Sequence, residues 1–286
     1  MPRGLDHIVH AVRDLDAAAD LYQRLGFIVG ARNRHSRSWG TQNHIVQFPG
    51  TYIELLAVTD TTGIAPHLAR HFSFGAFNRD WLARGQGLSM LVLEGSGASD
   101  ADAFRAAGIG DYELYEFERQ GKRPDGTPVK LAFALAFASD PRAPGIGFFT
   151  CSQRDPENFW NPAFQCHANT AMAVAGVVLV AQVPSDHAEF LAAFAGADSR
   201  RTPDGVKITT PRGDIEVLTP AVFASRFDVS APDISGGARL AALRFLVRDA
   251  NLLAEVPGIA GRHAGNVIVI GRENAMGAVL VFEPSR

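Results

Sequence analysis

Residues 5–27 read LDHIVHAVRDLDAAADLYQRLGF, and the change of period inside this stretch decides the fold. From Gly4 to Val12 apolar and polar residues alternate, with Ile8 and Val9 β-branched, which predicts a strand. Asp14 or Asp16 then offers a helix cap, and Leu15, Ala18, Ala19, Tyr22 and Leu25 recur at steps of three and four, which predicts an amphipathic helix. Gly26 suits the residue just past its end. Strands are expected at 27–34, 43–48 and 51–58, the last two joined by a tight Pro49-Gly50 turn. The order is β-α-β-β-β.

The order recurs downstream. A strand at 87–94, a helix at 100–107 closed by Gly108, strands at 112–119 and 129–138 around Arg123-Pro124-Asp125-Gly126, and a strand at 146–150 make a second unit. A third has a strand at 175–183, a helix at 185–194 stopped by Gly196, and strands at 206–210 and 215–218. A more worn fourth starts at 241–247 and resumes at 266–270 and 278–282. The endings YIELL at 52–56 and DIEVL at 214–218 share Ile-Glu-x-Leu after a glycine turn. One βαβββ unit leaves one sheet face bare, so units pair and enclose the bare faces as a pocket. The expected architecture is α+β, with about four modules forming two half-barrels. The division falls near 165–170, giving an N-terminal part of residues 1–168 and a C-terminal part of 169–286.

The 286 residues are 47% hydrophobic and 20% charged, ample material for a packed core. A net charge of -3 gives no electrostatic case for nucleic acid or an anionic membrane. The opening residues show no basic segment followed by a long apolar one, so no secretory leader is expected. Two cysteines, Cys151 and Cys166, exclude a disulfide scaffold and match no zinc spacing, which makes a reducing cytoplasm the expected compartment.

The opening segment resembles the start of the vicinal oxygen chelate superfamily. HSRSWGTQN at 35–43, YIELL, and DPENFWNPAFQCHAN at 155–169 are similar to its glyoxalase-like domain proteins. The resemblance spans roughly residues 4–175. It implies a divalent metal such as zinc, manganese, nickel or iron, held by the first and last strands of paired units and acting as a Lewis acid. Carried onto this chain, the first-strand ligand is His7 and the last-strand ligand Glu54. In the second unit the positions fall on Met90, or Ser89 with a one-residue slip, and near 151–153. In the other two, Glu216 survives while Val178, Phe245 and Leu280 take the remaining places. A catalytic metal ordinarily takes three protein ligands, so this departure argues against an extradiol dioxygenase and against a glutathione-dependent isomerase.

Strand alternation places His7 and Val9 on one face and Ile8 and His10 on the other. His10 then reads as a hydrogen-bonded structural histidine. Pairing across Pro49-Gly50 puts Asn43, Gln47, Tyr52 and Glu54 on the pocket side and turns His44 away. His7 and Glu54 are the candidate catalytic pair, either as metal ligands or as acid and base; the competing role is a buried couple that only holds the sheet. His35, Thr41, Asn43, Gln47 and Tyr52 are the candidate substrate contacts, against plain turn chemistry around Gly40. Arg32, Arg34 and Arg37 suit an anion but read more simply as a solvated hairpin. His167 is the candidate third metal ligand if the segment around Trp160 and Phe164 folds back as a lid, against a junction residue that satisfies backbone groups. Phe72, Phe74, Phe77 and Trp81 read as satellite core rather than pocket wall.

Two functions stay open: a lyase, isomerase or dioxygenase acting on a small oxygenated molecule, or a metal-free protein that sequesters one. Under either, the C-terminal half is expected to be structural. Sheet-edge pairing into a homodimer is the expected route to any oligomer.

Overall fold

The computed structural model describes residues 1–122, 126–253 and 261–285. Residues 123–125 of the expected turn lie outside them. The first unit is β1 (Leu5–Ala11), α1 (Leu15–Arg24), β2 (Asn33–Arg34), β3 (Thr41–Phe48) and β4 (Thr51–Val58), followed by α2 (Phe74–Leu82). The second is β5 (Gly87–Glu94), α3 (Ala98–Ala106), β6 (Tyr115–Lys122), β7 (Pro128–Ala138) and β8 (Gly147–Gln153). The third is β9 (Ala171–Val180), α4 (Ala188–Ala195), β10 (Ser199–Thr202), β11 (Gly205–Ile208) and β12 (Asp214–Leu218), followed by α5 (Pro220–Phe227). The fourth is β13 (Arg239–Val247), β14 (Gly261–Ala264), β15 (Val267–Ile270) and β16 (Val279–Pro284). The strands make two eight-stranded mixed sheets with one topology, β2-β3-β4-β1-β5-β8-β7-β6 and β10-β11-β12-β9-β13-β16-β15-β14. This is an α+β fold of βαβββ modules joined in pairs along their first strands.

Local chemistry explains where the elements start and stop. Asp14 caps α1 by accepting from the Ala17 N–H, and Leu15, Ala18, Leu21 and Tyr22 are its buried stripe. The expected strand at 27–34 shrinks to Asn33–Arg34, because the Ile28 N–H goes to the His167 ring and the Gly30 N–H to a single carbonyl, Ile45 O. Sequence periodicity missed α2 and α5. Both carry hydroxyl caps: Ser73 accepts from the Ala76 N–H, and Thr219, with Pro220 in the first turn, accepts from the Val222 N–H.

A β-bulge recurs in every first strand and sets the register. In β1 it falls at Asp6, since Leu5 faces Leu93 while His7 faces Val92; in β5 it falls at Ser89. In β9 and β13 it falls at Ala175 and Ala241. The extra residue shifts the phase of alternation, so Asp6 and His7 stand side by side on the concave face while Leu5, Ile8 and His10 face the helices.

The helix-side faces of the two sheets share one core. Phe27 lies 5.2 Å from Phe245, and Phe148 lies 4.8 Å from Phe190, ring centre to ring centre. The concave faces point away, each with its own apolar lining. At Gly277, with φ of 87°, a Cβ would collide with the Gln86 carbonyl oxygen, so only glycine allows this approach of the halves. No helix among the described residues is long and apolar enough to cross a membrane.

His10 also crosses the junction. Its Nε2–H donates to Met276 O at 3.2 Å, and its Nδ1 accepts from the Tyr22 hydroxyl at 3.0 Å. Burial lowers its pKa to about 4. Folded His10 therefore stays neutral where the unfolded chain takes up a proton, and stability falls as pH drops from about 6.5 towards 4. The linked loss is about 3 kcal/mol. Urea titrations at pH 7 and 4.5 should show a steeper loss for the wild type than for His10→Gln; equal slopes would refute the assignment.

Candidate functional site

The concave face of the first sheet holds a partly open pocket, lined among others by His7, His35, Asn43, Tyr52, Glu54 and Arg119. Its polar centre is a row of buried side chains. His7 Nδ1 lies 2.6 Å from Asp6 Oδ1 and donates to it, which leaves Nε2 as the basic nitrogen. That Nε2 faces Glu54 Oε2 at 3.9 Å. The His7 ring is stacked on Tyr52, 4.3 Å between centres, with Phe149 edge-on at 5.6 Å. The bulge supplies Asp6, the parallel pairing of β1 with β4 supplies Glu54, and the stacking fixes the ring.

Asn43 organises the other side. Its amide donates to Glu54 Oε1 at 2.5 Å and to His35 Nε2 at 3.2 Å, while its oxygen accepts from Asn33 at 3.2 Å. His35 Nδ1 then donates to Thr41 Oγ1 at 2.8 Å. Burial lowers the pKa of His35, aided by Arg119 and opposed by Glu54, so this ring is neutral at pH 7. Burial raises the pKa of Asp6, against the opposing pull of His7 and Arg212. Burial also raises the Cys151 thiol, reinforced by Asp6 and Glu54, so it is no thiolate nucleophile.

Of the residues singled out in the sequence, the structure brings His7, Glu54, Asn43, Tyr52, His35 and Thr41 into one connected group. Gln47 stands apart: it clamps the segment after β8, donating to Phe159 O at 2.8 Å and accepting from the Asn161 N–H at 3.0 Å. That segment closes one side of the cavity with Phe159, 5.0 Å from Tyr52. His167 lies on the opposite face of the sheet. Its Nδ1 accepts from the Ile28 N–H, its Nε2 donates to Gln47 O, and its ring packs on Phe48, so it is no third ligand for His7 and Glu54. Phe74 is a cavity wall rather than satellite core, stacked on Trp39 at 4.3 Å, whereas Trp81 sits away from it and donates to Gly145 O. His44 turns away as expected and donates to Gly30 O. Asp6, which holds His7 from behind, and Arg119, which lines the cavity, are the charged groups of the site that sequence reading missed.

The recurrent bulge locates the metal-ligand positions implied by the resemblance. His7 pairs with Tyr52 and Glu54 lies two residues on; the counterparts in the second unit are Met90, paired with Gly147, and Phe149. In the third unit they are Gly176 and Glu216, and in the fourth Ala242 and Val281. This corrects the expected places near 151–153 and at Val178, Phe245 and Leu280. A buried thioether and a phenyl ring do not complete a divalent site with one histidine and one carboxylate. His35 cannot make up the set, because its Nε2 lone pair is taken by Asn43. Among the described residues no group of three His, Cys, Asp or Glu side chains is placed to hold a metal ion. In the C-terminal half Glu216 is bound instead by Arg226 at 2.5 Å and Arg244 at 2.8 Å, and Arg244 also holds Glu283.

The sequence profile of the glyoxalase-like domain matches residues 5–195. The chain belongs to the glyoxalase-like domain family. Among curated proteins, none matches this glyoxalase-like protein significantly by sequence. Solved structures share its fold at low identity. A hypothetical protein from Staphylococcus aureus superposes with a TM-score of 0.68 at 12% identity, covering 99% of this chain and 100% of that one. A mutant 4-hydroxymandelate synthase from Streptomyces coelicolor gives 0.59 at 14% identity, over 99% and 92%. The Mn(II)-bound glyoxalase from Novosphingobium aromaticivorans gives 0.54 at 13% identity, over 99% and 83%. These likenesses show that the whole glyoxalase-like chain, including the part beyond residue 195, shares its fold with those proteins.

Proposed function

We propose that the N-terminal cavity is an active site for proton transfer on a small oxygenated molecule, at the carbon beside a carbonyl, giving isomerase or lyase chemistry. The observation that carries this reading is the buried row Asp6–His7–Glu54, with the free His7 nitrogen and the free Glu54 oxygen facing each other at 3.9 Å. His7 Nε2 is the base. Asp6 fixes its tautomer and stabilises the imidazolium that forms beside the developing enolate. Glu54, oriented by Asn43, is the second proton carrier. The C-terminal half, its one retained carboxylate neutralised by arginines, is proposed as structural support. No step is routed through a metal, because Met90 and Phe149 occupy the places where ligands are needed.

A sequestering role is the second reading, favoured by the aromatic walls Trp39, Phe74, Phe117, Phe133 and Phe159. One experiment separates the two. Small 2-oxo acids, 2-hydroxy acids and neutral ketones are incubated with chelator-treated protein in D2O, and loss of the α-proton signal is followed by NMR. Exchange that survives chelation and vanishes in His7→Asn is the expected result. Ligands that bind without exchanging would establish sequestration; exchange that needs added manganese would restore the metal mechanism.

A further inference from the structure

Arg119 stands on β6 beside the site, and among the described residues its side chain finds nothing to hold. Tyr115 and Phe117, four and two residues before it, pack on the apolar lining of the cavity, so Arg119 shares their inward face. Its outward neighbours are paired elsewhere: Glu116 with Arg154, and Glu118 with Lys130 at 2.7 Å. Among the described residues Arg119 itself has no hydrogen bond, no ion pair and no aromatic ring stacked against it. Yet it is half-buried, lining the His7–Glu54 cavity and two adjoining recesses. Arg34 lines one of those recesses too, while Arg32 is tied to Asp16. A guanidinium drawn out of water without a partner is costly, and burial accordingly lowers the pKa of Arg119, with Tyr52 and Glu54 offsetting part of the effect.

We infer that Arg119 is the anchor for a carboxylate on the ligand, so that the molecule turned over in this cavity is a small monocarboxylate with a flat apolar body. This rests on the proton-transfer reading of the same site and names its substrate class. The planar guanidinium fork matches a carboxylate with two parallel hydrogen bonds. The apolar body lies among Phe117, Phe133 and Phe159, where Phe117 and Phe133 are already stacked 5.0 Å apart. A monoanion fits better than a phosphate dianion, because the carboxylates of Asp6 and Glu54 share the site with this one arginine.

The test is calorimetric titration with phenylacetate and phenylpyruvate, beside the neutral isostere phenylacetamide and beside phenyl phosphate. The wild type should bind the carboxylates saturably and more tightly than the amide. Arg119→Gln should weaken the carboxylates roughly tenfold to a hundredfold and leave phenylacetamide unchanged, and Arg119→Lys should restore only part of the loss. The melting temperature of Arg119→Gln should not fall below that of the wild type, since Arg119 holds no protein group. In His7→Asn the preference for the carboxylates over phenylacetamide should persist, which keeps the anchor distinct from the proton chemistry. Equal affinity in wild type and Arg119→Gln, equal binding of acid and amide, preference for phenyl phosphate, no saturation at millimolar concentration, or a melting temperature lowered by the substitution would each overturn the assignment. Proton exchange on neutral ketones alone would overturn the anchor while leaving the proton-transfer reading standing.

Discussion

Asp6→Asn is expected to lower the proton-exchange rate about 100- to 10,000-fold while leaving the protein as stable as the wild type or more so. The loss comes from the imidazole. With an ionised aspartate beside it, His7 Nδ1 carries the hydrogen, because a carboxylate can only accept; Nε2 is then the base. Asparagine presents either an acceptor or a donor. In the donor orientation it pins the opposite tautomer, with the hydrogen on Nε2 aimed at Glu54. Even in the acceptor orientation it lacks the charge that stabilises the imidazolium. The gain in stability follows from the raised pKa of Asp6, caused by burial. A carboxylate with a raised folded pKa contributes stability below the unfolded value of about 3.8, and loses it as pH rises through the folded pKa. At neutral pH its ionised form is therefore a burden that asparagine removes. Asparagine also has a ready partner: Gln153 Nε2 reaches Asp6 Oδ2 at 3.5 Å, while Gln153 Oε1 is buried without one. Activity and melting temperature of the one variant are the measurements. A variant as active as the wild type would remove Asp6 from the mechanism, and one that loses both activity and stability would make the pair structural.

The concave half of this site was legible because it depends on local rules. A two-residue turn at Pro49-Gly50 sets the pairing Ile45–Glu54 and Gln47–Tyr52, and the observed register is that one. Alternation puts His7 opposite Ile8, and the structure agrees. Asp6 was illegible for the same reason. By alternation it belongs with Ile8 and His10 on the helix side, and a bulge, with no local sequence signal in Leu5-Asp6-His7, brings it beside His7. The same bulge explains why ligand positions of the other units were misplaced by one to four residues: the repeats align on the bulge, not on the strand ends. Arg119 shows a second limit. Its inward face follows from Tyr115 and Phe117, but its place in the wall of the cavity depends on how β6 closes the far edge of an eight-stranded sheet. His167 shows a third. Folding back of its segment was foreseeable from the missing strand, but which face of the sheet the ring would reach was decided by the free N–H of Ile28 and the free carbonyl of Gln47.

His187→Leu is expected to cost about 3–5 kcal/mol of stability at pH 7, with little direct effect on the cavity. Asp140 follows β7, whose Phe133 and Leu135 wall the site, and His187 leads into α4 of the other half. His187 Nδ1 lies 2.7 Å from Asp140 Oδ2, both side chains being buried, and the Arg142 N–H serves the other carboxylate oxygen at 2.9 Å. Burial alone would push the pKa of Asp140 up, but these two hydrogen bonds and their charges outweigh it and hold the pKa below the usual value. A depressed carboxylate contributes stability above its unfolded pKa and loses it as pH falls through the folded one. Leucine fills the space yet leaves one oxygen of a buried charge unanswered, so the cost exceeds that of losing a surface pair. Two features identify this mechanism. The deficit should shrink as pH falls from 7 towards 4, because the stranded Asp140 then takes up a proton. It should also shrink when Asp140→Ala is combined with His187→Leu, because no charge is left to strand. Urea titrations of the two single variants and the double at both pH values decide the matter. A deficit under 1 kcal/mol, or single losses that simply add, would mean that this pair is incidental to the junction of the halves.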